Sequence, residues 1–276
     1  MKIKVRRMRK KKYALLDTDF ISKTHLIRKD EDNKLIERIV QLPDYEFYCH
    51  EQIRTELLRH NIAGSPEWLT EQIANGQVSC YDDKCILDEL AGIYGDSAPA
   101  IYAQMLKTAC EAYQTGYFAE QFPRIAGLDY TAIDKDSFLE VLDQECTALG
   151  ADHNLGELKS YVLLQFLNLT LGQQIYVFCS DDRNARNGIV SIGGTRCISV
   201  LSSFLRLKIE SGFEKEDAEP YIQSYLEFLE NSKQTTFSIQ NGPRASQIVK
   251  APCNQVFEDL YSGKLAELKN GNLKYI

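Results

Sequence analysis

Short apolar runs alternate with segments of helical periodicity along much of this sequence. Runs rich in apolar, β-branched and aromatic residues predict strands at 13–17, 45–49, 77–81 and 175–179. Between them apolar residues recur at helical spacing, as in residues 34–40. Two further β-like runs, 189–192 and 197–201, lie on either side of Gly193 and Gly194. The alternation predicts an α/β fold in which helices cover both faces of a mostly parallel sheet.

The segment between residues 82 and 149 has helical periodicity throughout. Helices are predicted over 86–94, 98–115 and 136–149, with an irregular aromatic stretch at 116–129. Because no flexible linker sets this segment apart, we predict an insertion into the α/β domain. After residue 205 the pattern predicts a helix at 217–229, a strand at 235–239 and a last helix at 255–268. The predicted organisation is a basic arm at 1–12, a domain at 13–205 with its insertion, and a C-terminal extension at 206–276 that packs on the domain.

Composition narrows the class of protein. The 276 residues are 44% hydrophobic and 26% charged, which is typical of a globular protein. No run of 18 apolar residues is present, so no membrane span is predicted, and the N-terminus lacks the pattern of a secretory signal. Several of the eight cysteines lie in apolar runs, where a free thiol behaves as a small hydrophobe. We therefore expect reduced thiols and a cytoplasmic location.

Charge is distributed unevenly. Residues 1–12 contain eight Lys or Arg residues and no acid, which leaves 24 basic and 39 acidic side chains in the rest of the chain. The arm is compatible with a phosphate-binding tail and equally with a solvated terminus. The acidic body argues against broad coating of nucleic acid. It suits a partner with a basic patch, or a metal site built from carboxylates.

Acidic residues follow the predicted strands or begin the helices after them. They are Asp17 and Asp19 after the first strand, Glu56 in the helix after the second, Glu157 before an all-round apolar helix, and Asp181 and Asp182 after the strand at 175–179. In an open α/β sheet such positions can converge at one edge. Clustered carboxylates repel one another unless a hard cation joins them, so we predict bound Mg²⁺ or Mn²⁺, which can activate water. Arg183 and Arg186 are placed to bind a phosphate, or to pair with surface acids.

Four of these segments, in order, resemble the acidic motifs of PIN-domain nucleases. The segments are Leu15-Leu16-Asp17-Thr18-Asp19-Phe20, Ile53-Arg54-Thr55-Glu56-Leu57-Leu58, Gly156-Glu157 and Ser180-Asp181-Asp182-Arg183-Asn184-Ala185-Arg186. Ile192-Gly193-Gly194-Thr195 is similar to the closing segment of that family. The resemblance covers residues 13–81 and 150–205. It implies a Rossmann-like three-layer α/β/α domain, a Mg²⁺ or Mn²⁺ site and endonuclease activity, most often on RNA.

The resemblance also implies roles for particular residues. Asp17, Glu56 and Glu157 match the first three acids, and either Asp181 or Asp182 matches the fourth. Asp152 is a competing candidate for the third acid. The implied metal ligands are Asp17, Glu157, Asp181 and Asp182, and the implied supporting residues are Thr18, Asp19 and Ser180.

Other functions remain open at this point. Asp17-Thr18-Asp19 after a strand also resembles the motif of haloacid-dehalogenase-like phosphatases, although that family has Thr or Val where Ile21 stands, and it gives Glu56 no role. A third alternative is a non-catalytic PIN-like module that binds protein. A nuclease of this family can be a toxin or defence enzyme held silent by an inhibitory or regulatory protein partner, and a homodimer is also compatible with the sequence. The four histidines are interpreted as chance neighbours of the motifs.

Overall fold

The computed structural model describes residues 11–60, 64–113, 116–150, 154–192, 194–229, 234–240 and 246–276. Most of the predicted basic arm therefore lies outside the described residues. Asp152, the alternative third acid, and Gly193 of the predicted closing segment also lie outside them.

Five parallel strands form the central sheet. Their bounds are Lys12–Leu16 (β1), Tyr45–His50 (β2), Val78–Tyr81 (β3), Ile175–Cys179 (β4) and Arg196–Ile198 (β5). The strand order is β3-β2-β1-β4-β5, so the chain first builds outward from β1 to β3 and then returns to add β4 on the other side of β1. This reversal creates a topological switch point at the carboxyl ends of β1 and β4, where open α/β sheets bind ligands.

Helices cover both faces of this sheet, which confirms the predicted α/β class and the three-layer architecture. The helices are Thr18–Leu26 (α1), Leu35–Val40 (α2), Glu51–His60 (α3), Ser65–Ala74 (α4), Asp83–Tyr94 (α5), Ala98–Tyr113 (α6), Phe118–Gln121 (α7), Pro123–Ala126 (α8), Lys135–Leu149 (α9), Leu155–Gln165 (α10), Arg183–Ile192 (α11), Val200–Ser211 (α12), Lys215–Phe228 (α13) and Cys253–Tyr261 (α14). A 3₁₀ turn, Gly95–Ser97, precedes α6, and a π turn, Phe166–Thr170, follows α10.

Side chains along β1 alternate between two apolar cores because successive residues of a strand point to opposite faces. Ala14 and Leu16 pack in the core beneath α1–α4, α12 and α13, whereas Leu15 packs in the core beneath α5, α6 and α9–α11. The helices between β3 and β4 therefore cover the second face of the sheet, together with α11. Helix α10 is buried nearly all round, as the apolar residues on most of its sides predict.

Three local predictions are wrong. Residues 189–192 form the last turns of α11, although their β-branched side chains favour a strand. The run at 197–201 is divided between β5 and α12, because the Ser199 side chain accepts a hydrogen bond from the Ser202 amide and caps a new helix. The predicted last helix ends at Tyr261, since Gly263 adopts a positive φ of 78° that stops it.

A second sheet lies in the C-terminal part of the chain, and the sequence pattern predicted only its strand at 235–239. Its strands are Gln234–Gln240 (β6), Ser246–Pro252 (β7), Leu265–Glu267 (β8) and Leu273–Tyr275 (β9), in the order β7-β6-β9-β8. Apolar residues of α14, β8 and β9 belong to the same core as α1 and α12. The Ser199 hydroxyl donates a 2.8 Å hydrogen bond to the Gly271 carbonyl, so this sheet contacts the end of β5 directly.

Two further observations concern the chain as a whole. No helix in the described ranges is long and apolar enough to cross a membrane. All eight cysteines lie in those ranges, and none is joined in a disulfide.

Candidate active site

The switch point between β1 and β4 brings Asp17 and Ser180 together. The Asp17 amide donates to the Cys179 carbonyl at 3.0 Å, and the Ser180 hydroxyl donates to Asp17 Oδ2 at 2.7 Å. Both side chains are buried, because each follows directly on a strand whose last residues are fully enclosed. Ser180 therefore fixes one oxygen of the Asp17 carboxylate and leaves the other to face the cleft.

The Glu56 carboxylate is held by hydrogen bonds to both of its oxygens. The Thr18 hydroxyl donates to Oε2 at 2.6 Å, and the Gly156 amide at the start of α10 donates to Oε1 at 2.9 Å. A Cβ at position 156 would lie 2.7 Å from Oε1 and closer still to Oε2, so only glycine allows this approach. Glu56 thus joins α1, α3 and the positive N-terminal end of α10, and we refer to these contacts as the Glu56 clasp.

The Glu56 clasp sets the position of Glu157, which lies in the first turn of α10 and lines the cleft. Burial, and then the charges of Glu56, Asp182 and Asp19, raise the pKa of Glu157 to about 7 against the opposing effect of its own amide. Burial and the charge of Glu157 likewise raise the pKa of Asp17 well above its ordinary value, and the Ser180 hydrogen bond opposes this only in part. The cluster therefore has an excess of negative charge that a cation would relieve.

Asp181 and Asp182 point to different surroundings, although they are neighbours in sequence. Asp182 lines the cleft, and its Oδ1 accepts a 2.8 Å hydrogen bond from the Ala185 amide at the start of α11. Asp181 instead pairs with Lys23 at 2.8 Å and accepts from the Val200 amide at 3.0 Å. The structure thus places Asp182 in the position expected of a fourth acid and Asp181 outside the cleft.

Asp19 lies in the cleft, and Lys23 compensates its charge. The Lys23 ammonium contacts Asp19 at 2.9 Å as well as Asp181, and it joins the end of β1 to the end of β4. Burial raises the pKa of Asp19, and the Lys23 charge opposes that effect. The supporting role predicted for Asp19 is compatible with this pairing.

The prediction that Arg186 binds a phosphate is wrong. Its guanidinium is buried and donates to the Asn270 carbonyl at 2.8 Å, the Ser180 carbonyl at 3.1 Å and the Asn272 side chain at 3.2 Å. These three bonds brace the turn after β4 against the second sheet. Arg183, by contrast, is exposed at the start of α11, beside Asp182.

The assembled cleft has a volume of about 490 Å³. Five carboxylates line it, namely Asp17, Asp19, Glu56, Glu157 and Asp182. Basic side chains that the sequence interpretation missed also line it, namely Lys23, Arg59 and His60. Their spacing could have indicated them, since Lys23 lies one helical turn after Asp19, and Arg59 and His60 lie one turn after Glu56. The cleft can therefore bind an anion beside a cluster of acids.

The donor set of this cleft fits Mg²⁺ or Mn²⁺, which prefer hard oxygen ligands. Among the described residues, no three His, Cys, Asp or Glu side chains are grouped closely enough to hold an ion by themselves. A cation in this cleft would need water or substrate oxygens to complete its shell, which is how Mg²⁺ is commonly bound.

A buried ion pair fixes α10 on the side away from the cleft. The Lys159 ammonium donates to Asp83 Oδ2 at 2.7 Å and to the Tyr102 hydroxyl at 3.1 Å, while His50 Nε2 lies 3.1 Å from Asp83 Oδ1. Burial alone would raise the pKa of Asp83, but Lys159 and His50 hold it well below its ordinary value. Because Lys159 is two residues after Glu157, this network and the Glu56 clasp together determine where α10 begins.

Comparison of the chain with protein-family models, with curated proteins and with solved structures finds no match to any of them.

Proposed function

We propose that this protein is a metal-dependent endonuclease of the PIN type that hydrolyses RNA in the cytoplasm. The observation that carries the proposal is the meeting of five carboxylates and three basic side chains in one cleft at the switch point of a parallel sheet. Acids that would hold a divalent cation lie beside cations that would bind a phosphate. The eight free cysteines support the cytoplasmic location in this proposal.

The proposal assigns separate roles to the residues around the metal and around the phosphate. Asp17, Glu157 and Asp182 would hold Mg²⁺ or Mn²⁺, which supplies an activated water and offsets the charge that develops on phosphorus. Ser180 orients Asp17 through its 2.7 Å hydrogen bond, and the Glu56 clasp places Glu157. Arg59 and His60 are positioned to receive the phosphate on the side of α3.

The proposal is tested by incubating the purified protein with a mixed pool of RNA and Mn²⁺. We expect cleavage that EDTA abolishes and that Asp17→Asn lowers at least a hundredfold. The matched control is Asp136→Asn, because the Asp136 side chain is 83% exposed on α9 and lies outside the cleft. Cleavage that survives both EDTA and Asp17→Asn would refute the proposed site.

Calorimetric titration with Mn²⁺ tests the metal site without relying on activity. We expect one binding event that Asp17→Asn or Glu157→Gln removes and that Asp136→Asn retains. Activity on phosphate monoesters that Asp19→Asn abolishes and Glu56→Gln leaves intact would instead indicate a phosphatase. If neither RNA nor single-stranded DNA is cut, the protein-binding module becomes the better explanation.

A further inference from the structure

A second cavity opens beside the acid cleft, between the C-terminal end of α6 and helix α11. Its volume is about 530 Å³, and Asn154, Glu157 and Asp182 line both spaces. One wall is supplied by the insertion, through Ala112 and Tyr113 at the end of α6. The cavity thus continues the cleft toward a part of the chain that the PIN resemblance does not cover.

Tyr113 lines this cavity, and its hydroxyl is buried beside it. The hydroxyl has no hydrogen-bond partner among the described residues and is screened from solvent. Its ring is held in place, because it packs edge-on against Tyr161 at 6.0 Å and lies where a Cβ at Gly188 would approach within 2.6 Å. Leaving a buried hydroxyl unpaired is costly, so its fixed position indicates a ligand that supplies the partner.

The lining distinguishes this cavity from the acid cleft. Apart from the shared acids, its polar side chains are neutral: Tyr113, Asn154, Asn184 and Asn187. None of the lining residues in the described part of the chain is a cation. A phosphate is therefore disfavoured here, whereas the neighbouring cleft offers it the guanidinium of Arg59. The complementary ligand is an uncharged group that carries both kinds of hydrogen-bonding group, with donors toward Glu157 and Asp182 and either kind toward the amides.

A nucleoside has these properties. Asparagine amides both donate and accept, and they can pair with the edge of an unstacked base. Asn187 Oδ1 already accepts a 3.2 Å hydrogen bond from Asn270, which holds the amide of Asn187 in place on α11. The volume lies within the range of sites that enclose one small ligand, and a base can enter such a site only from a single strand or a loop.

We infer that the cavity between α6 and α11 is a nucleoside-binding subsite, in which the Tyr113 hydroxyl and the amides of Asn184 and Asn187 hold the base beside the scissile phosphate. The placement beside the cut depends on the proposed nuclease function, whereas the binding of a nucleoside does not. The substrate class is then single-stranded RNA, and cutting depends on the identity of one base.

Saturation-transfer NMR with adenosine, guanosine, cytidine and uridine tests the subsite on the metal-free protein. We expect one nucleoside to bind best, and Tyr113→Phe and Asn184→Ala each to weaken it about tenfold, the effect of one lost hydrogen bond. Tyr117→Phe is the matched control, because Tyr117 lies in the same insertion and is 78% exposed. Thermal unfolding checks that each variant remains folded. Binding of no nucleoside, or binding unchanged in Tyr113→Phe, would overturn the inference.

Mapping of cut sites in random-sequence RNA separates this inference from the proposed function. A base preference beside the cut that Asn184→Ala flattens supports the subsite. Cutting without any base preference overturns the subsite and leaves the nuclease in place. Nucleoside binding that depends on Tyr113, with no RNA cut, supports the subsite and overturns the nuclease.

Discussion

Replacing Gly156 by alanine tests whether the Glu56 clasp determines the position of α10. The new Cβ would lie 2.7 Å from Glu56 Oε1 and 2.8 Å from Cδ, so the carboxylate must swing away. It would then lose its hydrogen bonds from the Gly156 amide and the Thr18 hydroxyl. A hydrogen bond to a charged group contributes about 1.5–3 kcal/mol, and alanine in a helix recovers up to ~1 kcal/mol relative to glycine. Since the displaced carboxylate can regain water in the cleft, we expect a net loss of about 1–3 kcal/mol.

Urea unfolding measures this loss directly. Gly92→Ala is the matched control, because Gly92 also lies in a helix and its Cβ would meet no described atom within 4 Å. We expect the midpoint to fall for Gly156→Ala and to rise slightly for Gly92→Ala, with the slope unchanged in both. RNA cleavage by Gly156→Ala should fall about a hundredfold, since displacement of a site by about 1 Å can have that effect. If Gly156→Ala gained as much stability as Gly92→Ala and kept full RNA cleavage, the Glu56 clasp would not determine the position of α10.

Three other changes probe the supports of the fold. Lys159→Met should destabilise the protein by about 3–5 kcal/mol in urea unfolding, because it leaves the Asp83 carboxylate buried without its cation. The double variant that also carries Asp83→Asn should recover much of that loss. If the losses of the two single variants simply added, the result would contradict the ion pair between Lys159 and Asp83. Arg186→Ala should lower the urea midpoint of unfolding. It should leave unchanged the slope of the logarithm of the RNA-binding constant against the logarithm of the salt concentration, and a slope smaller by about one would indicate a phosphate contact. Burial keeps the pKa of His25 at about 4, below its ordinary 6.5, so the unfolded chain takes up the proton first. The contribution of His25 to stability should therefore fall as the pH drops from 6.5 to 4, while the raised pKa of Glu157 acts in the opposite direction. The difference in stability between the protein and His25→Phe isolates the His25 contribution and should change over that range; a constant difference would contradict the assignment.

The sheet and its acids were predictable because their signals are local. Each strand of the central sheet except β5 is a short apolar run, and the acid after β1 occupies the edge that parallel topology assigns to it. The distinction between Asp181 and Asp182 was not predictable. Adjacent residues in a turn diverge according to partners far along the chain, here Lys23 and the start of α12.

The remaining misses share a physical cause. Arg186 lies outside the cleft because it binds Asn270 and Asn272, which are 84 and 86 residues further along the chain and which no local pattern identifies. The strands β8 and β9 have three residues each, too few for a period of two to be recognised. Tyr113 reaches the second cavity only because α6 packs closely on α11 at Gly188. Such contacts depend on tertiary packing, which the sequence pattern alone does not specify.

The hydrogen bonds of Arg186 also affect the order in which parts of the chain can reach their final structure during synthesis. All five acids of the cleft are synthesised well before Asn270 and Asn272, whose oxygen atoms hold the guanidinium that supports the Ser180 carbonyl. Until residue 272 has been made and has folded, the turn after β4 lacks this support, and only hydrogen bonds within the turn hold Asp182, to the Ser180 hydroxyl and from the Ala185 amide. The turn after β4 therefore gains its last support only when the turn between β8 and β9 has packed against it.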